Sequence, residues 1–155
     1  MADQTYNLID LATEQLDDAI SLFLKRKSFA SALTLAAAAD EILAKALSHS
    51  GKQNFLDWKY EEVEPLYTTL HRTPLSREDF IEDEDRALNA IKHIESASDT
   101  SVTLDLEEAA YSMIVRACHN SDLLGLPRTA KMRKFEDYFY EHVVGPADPL
   151  PEYEA

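Results

Sequence analysis

The chain has 155 residues and a formal charge of −14, because 29 acidic residues outnumber 15 basic ones. This length suits one domain with a substantial core, and an apolar fraction of 45% argues against disorder. The negative charge disfavours nonspecific binding to nucleic acid. With three glycines and a single cysteine, the composition favours helices over tight turns and excludes an internal disulfide framework.

The targeting signals that the sequence lacks are those of secretion and membrane insertion. The first residues have neither the basic start nor the apolar run of a signal peptide. The longest uncharged apolar run, around residues 29–39, is too short to span a bilayer. We therefore expect a cytoplasmic protein that makes no membrane contact.

The first two helices are predicted from apolar stripes at helical spacing. The first runs from about Tyr6 to Lys27, with Asp3 or Thr5 as its cap. The second runs from about Ser28 to Ser50 and ends before Gly51, a position that favours left-handed backbone. The alanine run at 36–39 would allow a neighbouring helix to approach closely.

One acid lies on the apolar stripe of the second helix. Asp40 falls between Ala36 and Leu43, and a carboxylate buried there must be hydrogen-bonded or paired. The neighbouring Glu41 points elsewhere and can pair with Lys45 one turn on. Asp40 is either a structural anchor for a neighbouring helix or loop, which is the favoured interpretation, or a supporting residue of a functional site.

The middle of the chain is predicted as a broken helix followed by a continuous one. Pro65 lacks a backbone N–H and clashes with the preceding turn, so a short helix should end near Glu62 and another begin near Pro65. Thr73-Pro74 ends the second piece. Ser76 then caps a single helix over 76–95, and a polar loop follows over 96–101.

The last third of the chain predicts two more helices. One runs from about Leu104 to Leu124, capped by Thr103 or Asp105, and the other from about Thr129 to Val144. The fold class is therefore all-α, an up-and-down bundle of four main helices plus a short broken helix. A single domain covers 1–145, and 146–155 is a proline-rich acidic tail.

The predicted helix over 76–95 carries a polar face that is the main functional candidate. At 100° per residue its apolar residues cluster on one side: Phe80, Ala87, Leu88, Ile91 and Ile94. Arg86, Asn89 and His93 lie opposite, beside Ala90, and Arg86 and His93 are two turns apart. This face should point away from the core, toward solvent or a second copy of the chain.

The polar face suits one kind of reaction. Histidine can move a proton at neutral pH, and an arginine two turns away could hold a phosphate or stabilise its transition state. Asn89 could orient either group. Paired across a two-fold axis, two such faces would give a composite cleft for metal-independent cleavage of RNA by its own 2′-OH.

A second polar set lies later in the chain, on the helix over 104–124. Arg116, His119 and Asn120 share a face and could line the same cleft. We expect them to be exposed, or His119 to bond a neighbouring loop. Nothing beyond proximity supports catalysis by Cys118. The sequence has no Glu-x-x-His, no Cys/His cluster and no glycine-rich phosphate loop, so it predicts no metal or cofactor.

Two segments, 31–43 and 86–93, resemble HEPN-like helical domains. That superfamily is marked by an arginine, four to six intervening residues and a histidine. In the tightest spacing, Arg-Asn-x-x-x-His, Asn89 and His93 align and Leu88 occupies the arginine position. The looser spacing uses Arg86 as the arginine, with six residues between Arg86 and His93.

Active HEPN-like proteins are dimeric ribonucleases, many of them in toxin–antitoxin and defence systems, and other members are inactive binding or scaffold domains. The resemblance therefore implies a homodimer with Arg86, Asn89 and His93 as site residues, supported by Asp40. The favoured expectation is a degenerate, non-catalytic member that binds a protein, with its acidic surface favouring a basic partner, or RNA. The alternative is an active metal-independent endoribonuclease.

Overall fold

The computed structural model describes residues 1–94, 96–98 and 100–145, and in this part the chain is helical with no strand. The helices are α1 (Leu8–Leu24), α2 (Phe29–His49), α3 (Phe55–His71), α4 (Arg77–Glu84), α5 (Arg86–Lys92), α6 (Leu106–Leu123) and α7 (Ala130–Phe139), followed by a π-helical turn (Tyr140–Val144). The predicted all-α class is confirmed. None of these helices combines the length and the apolar character needed to cross a bilayer. The predicted tail over 146–155 lies outside the described residues.

The core is built from α1, α2 and α6, each of which contacts the other two. Its largest enclosed apolar side chains are Leu16, Ile20, Phe23, Leu33, Leu43 and Ile114. Ala36 and Ala39 on α2 are fully buried, as are Ala110 and Ala117 on α6. Because alanine adds little bulk, the backbones of these helices can pack closely, as the alanine run of α2 predicted.

The first helix begins later than the sequence predicted. Asn7 caps α1, and its Oδ1 accepts hydrogen bonds from the N–H groups of Ile9 at 2.8 Å and Asp10 at 3.2 Å. The predicted caps at Asp3 and Thr5 are therefore wrong. An asparagine directly before the first turn satisfies the free donors there, which neither residue can reach.

The predicted break at Pro65 is wrong, because α3 is continuous from Phe55 to His71. Pro65 has no N–H to donate to the carbonyl of Glu61 one turn earlier. Both residues are exposed, so water can satisfy that carbonyl. None of the residues of α3 is fully buried. The proline therefore lies on the side of the helix where a missing hydrogen bond costs least.

The predicted single helix over 76–95 is also wrong. Ser76 caps α4 as expected, but the chain leaves helical geometry at Asp85 and again at His93. Asp85 has φ −98° and ψ 4°, and His93 has an extended backbone with φ −129° and ψ 134°. Ile94, expected on the buried side, is 70% exposed, whereas Phe80 is buried.

The end of the described chain closes the core with aromatic rings. Asp105 caps α6 as one of the two expected caps, and Thr129 caps α7. Phe135 on α7 packs against Phe23 with ring centroids 5.7 Å apart. Val143 is exposed, in the last turn, which widens into a π-helix beyond the core.

We expect Phe23→Ala to lower the free energy of unfolding by about 3–5 kcal/mol, because the ring is only 2% exposed and packs against four other aromatic rings. Urea denaturation followed by circular dichroism measures this change. Tyr6→Ala is the matched control, since Tyr6 is 62% exposed and its loss should change stability by less than about 0.5 kcal/mol. Equal losses for the two variants would contradict this description of the core.

Candidate functional site

The structure places the three predicted site residues at or just beyond α5. Arg86 is the first residue of this helix, Asn89 lies within it, and His93 follows its end. All three side chains are exposed, as expected. The helix stops at Lys92, so His93 is the residue directly after α5 and has an extended backbone.

The guanidinium of Arg86 is already engaged by its own chain. It pairs with the carboxylate of Asp83, three residues earlier, and its side chain is 76% exposed. A cation in the first turn of a helix opposes the helix dipole, and the carboxylate offsets that effect. An exposed pair of this kind contributes little to stability, so its main effect is to hold the guanidinium near the helix start.

Asp40 on α2 is the most buried charged side chain in the described part of the chain, with 4% of the residue exposed. Its Oδ2 accepts a hydrogen bond from Arg116 Nε at 2.8 Å, and its Oδ1 accepts one from Asn120 Nδ2 at 2.7 Å. The expectation that this carboxylate must be paired and hydrogen-bonded is confirmed. Both partners lie one turn apart on α6, so Asp40 anchors α2 to α6.

The same two residues of α6 extend the network to the rest of the chain. Arg116 Nη1 donates to Asp85 Oδ1 at 2.8 Å, at the junction between α4 and α5. Asn120 Oδ1 accepts from the backbone N–H of Phe55 at 2.8 Å, in the first turn of α3. The sequence expectation that Arg116 and Asn120 are exposed is wrong, since they are 7% and 0% exposed.

The electrostatics of this network are dominated by burial. Burial raises the pKa of the Asp40 carboxyl. The positive charge of Arg116 and the hydrogen bonds from Asn120 and Arg116 act in the opposite direction and lower it. One guanidinium faces two carboxylates, Asp40 and Asp85, so the cluster carries a formal charge of −1 if all three groups are ionised. Asp85, with 26% of its side chain exposed, connects this excess charge to solvent.

The remaining residues of the second polar set do not form a catalytic pair. His119 is exposed, which is the first of the two expected alternatives, and its Nδ1 lies 3.0 Å from the carbonyl oxygen of Val115 on the same helix. Its ring stacks on Phe55 with centroids 4.9 Å apart. Burial raises the pKa of the Cys118 thiol to about 12, which keeps it protonated at neutral pH and unreactive as a nucleophile.

Two surface depressions flank this network. A groove of about 680 Å³, here called the α5–α6 groove, lies between α5 and the first three turns of α6. Arg86 and Ala90 line it, whereas Asn89 and His93 do not. A smaller apolar cleft of about 500 Å³ lies beside the stacked His119 and includes the half-exposed Trp58. Across the described residues, no group of three or more His, Cys, Asp or Glu side chains is placed to hold a metal ion.

Comparison of this chain with family models, curated proteins and solved structures finds no match.

We expect Arg116→Met to lower the free energy of unfolding by about 3–5 kcal/mol, because it leaves the buried Asp40 carboxylate without its cation. Urea denaturation measures the loss. Arg128→Met is the matched control: Arg128 also bridges two carboxylates, those of Asp122 and Glu136, but is 45% exposed. Its loss should cost less than about 1 kcal/mol. A cost for Arg116→Met as small as the control's would show that Asp40 is not held as a buried ion.

We expect Cys118 to react slowly with iodoacetamide in the folded protein at pH 8. Raising the thiol pKa from 9.0 to about 12 lowers the thiolate fraction roughly a thousandfold. Mass spectrometry of the alkylated chain over time measures the rate, and the same chain in concentrated urea gives the reference. Because the chain has one cysteine, every modified molecule reports this site. Equal rates with and without urea would contradict the buried thiol.

Proposed function

We propose that this chain is a non-catalytic, HEPN-like helical protein that acts by binding. It works as a homodimer in the cytoplasm, in a toxin–antitoxin or defence-like setting, and its four main helices form an up-and-down bundle. Its partner is a basic protein, with RNA as a second possibility. The observation that supports the absence of catalysis is that His93 lies beyond the end of α5 with an extended backbone, so the helix that carries Arg86 does not hold it.

The engagement of the two arginines also supports a non-catalytic role. Cleavage of RNA by its 2′-OH needs a base within reach of the hydroxyl and a cation beside the phosphate. Arg86 pairs with Asp83, and the buried Arg116 binds Asp40 and Asp85. Leu88, which is half-buried, occupies the arginine position of the tightest HEPN-like spacing.

The charge distribution favours a basic partner over nucleic acid. The formal charge of −14 repels a phosphate backbone and attracts cationic proteins at long range. Several exposed bases are neutralised within the chain: Arg26 pairs with Glu107, Arg77 with Asp57 and Arg128 with Asp122. These pairs leave the acidic excess of the surface available to a partner.

Exposed apolar side chains support association with a second copy. Leu66 and Leu70 on the outer part of α3 are 67% and 78% exposed, and Trp58 on the same helix is 47% exposed. Ala90, on the surface that carries Arg86 and Asn89, is half-buried and small. Apolar groups of this size that remain in contact with water favour association with another protein surface.

An active metal-independent endoribonuclease is the second candidate. One observation favours it: Arg86, Asn89 and His93 are all exposed on or beside α5, so a second copy could bring two such sets together. In that case His93 of each copy would act as the proton-transfer group and Arg86 would stabilise the phosphate. Catalysis would then depend on dimer formation.

We expect purified wild-type protein to leave RNA intact in the presence of EDTA, and its expression to leave cell growth unchanged. His93→Ala should behave identically, because the proposed function does not use proton transfer by this side chain. Gel analysis of a mixed RNA substrate and growth curves measure both properties. Metal-independent cleavage that disappears in His93→Ala and persists in the exposed control His49→Ala would overturn the non-catalytic proposal.

We expect Ala90→Asp to shift the protein from dimer to monomer, because a carboxylate at the centre of a shared surface is desolvated without a partner. Sedimentation velocity over a range of concentrations measures the shift. Ala30→Asp is the matched control, since Ala30 is exposed on α2 away from α5. Circular dichroism confirms that both variants are folded. A wild-type protein that stays monomeric at every concentration would contradict the homodimer.

A further inference from the structure

The floor of the α5–α6 groove is apolar. Leu33 from α2 and Met113 from α6 reach it from the core, and Leu88 from α5 adds a half-buried side chain. Val102, just before α6, forms part of one wall and is 52% exposed. An open groove with this floor can accept the apolar face of another element.

Small side chains border the groove on both helices. Ala87 lies on α5, and Ala109 and Ser112 lie on α6. None of them extends far from its helix, so the backbone of a third helix can approach closely. The distance along α6 from Asp105 to Arg116 is eleven residues, or about 16 Å, which is three turns of a partner helix.

The acids of the groove lie toward both of its ends. Asp105 and Glu108 lie at the start of α6, and Asp83 and Glu84 lie next to the Asp85–Arg116 pair two to three turns further on. Glu108 makes no ion pair within the described residues. Because Asp83 and Glu84 are paired with Arg86 and Lys59, the acids free to meet a partner lie at the start of α6. They are complementary to a helix that carries bases at one end of its apolar face.

The bases of the groove are all neutralised by the chain itself. Lys59 Nζ lies 2.7 Å from a carboxylate oxygen of Glu84, Arg86 pairs with Asp83, and Arg116 is bound by Asp40 and Asp85. The lining holds three bases and four acids, a formal charge of −1, and the two carboxylates that bind Arg116 from outside the lining bring the total to −3. No guanidinium or ammonium here is left to hold an anionic ligand.

We propose that the α5–α6 groove is the docking site for an amphipathic basic helix of the protein partner. The partner helix lays its apolar face on Leu88 and Val102, and its bases meet Asp105 and Glu108 at the start of α6. This is the helix-in-groove mode of recognition, in which apolar contacts supply affinity and charges supply orientation. The inference rests on the proposed binding function and assigns the surface that performs it.

A fluorescein-labelled model peptide tests this assignment: an 18-residue amphipathic helix of leucine and lysine, with a leucine/glutamate peptide of the same pattern as control. Fluorescence anisotropy at about 150 mM salt measures binding to the full-length protein. We expect the basic peptide to bind and the acidic peptide not to bind. Glu108→Lys should weaken binding about fivefold or more, because it turns attraction at the groove end into repulsion.

Two pairs of matched variants distinguish binding in the groove from nonspecific binding to the acidic surface. Ser112→Trp fills the groove from an exposed position and should abolish most binding, whereas Ser48→Trp, exposed on α2, should not. Glu14→Lys changes charge by the same amount as Glu108→Lys but lies on α1, outside the groove, and should leave affinity within about twofold. Circular dichroism confirms that each variant is folded.

The negative results of this experiment distinguish an error in the docking site from an error in the proposed binding function. If the basic peptide binds but Glu108→Lys and Ser112→Trp have no more effect than their controls, the groove assignment is wrong and the basic-partner function stands. If the basic peptide does not bind at either high or low salt, both are wrong. Tighter binding of the acidic peptide, or of a single-stranded RNA of similar length, would overturn the charge argument and favour an anionic ligand.

Discussion

The arrangement of this protein depends on one buried ion pair, between Asp40 on α2 and Arg116 on α6. Taking both groups out of water is expensive, and their attraction offsets that cost only when the remaining donors and acceptors are satisfied. Here the second carboxylate oxygen binds Asn120, and the guanidinium also binds Asp85. Such a cluster contributes less to net stability than to the choice of one arrangement, since any shift of α2 against α6 would leave a buried charge unpaired.

The cluster also fixes the positions of α3 and α5. Asp85 is the residue at which the predicted helix over 76–95 divides, and its carboxylate is bound by Arg116. The division sets the direction of α5, and therefore which of its residues line the groove and which face solvent. Asn120 fixes the first turn of α3 through Phe55. Through Arg116 and Asn120, the Asp40 carboxylate that the sequence marked as structural thus helps to position both α3 and α5.

Helical periodicity was sufficient to predict the class of the fold, α2 and the burial of Asp40, because each follows from a single helix and its apolar stripe. The division at Asp85 was not predictable in this way, since it depends on a contact with a residue 31 positions away. Arg116 and Asn120 did leave a signal: they border the arc of α6 that holds Met113 and Ala117, as a partner for a buried carboxylate should. The break predicted at Pro65 was wrong because the hydrogen-bonding rule for proline does not state which side of the helix faces water.

The contrast between α3 and the core has a consequence for local unfolding. None of the residues of α3 is fully buried, whereas α1, α2 and α6 together contain most of the buried apolar side chains in the described chain. The amide of Phe55 and the carboxylate of Asp85 bind α6 through hydrogen bonds, and Ala87, Leu88 and Ile91 of α5 add partly buried apolar contacts with the core. The chain from α3 to α5 can therefore open as one cooperative unit while the three-helix core stays folded, and its backbone amides should exchange with solvent at a lower free energy.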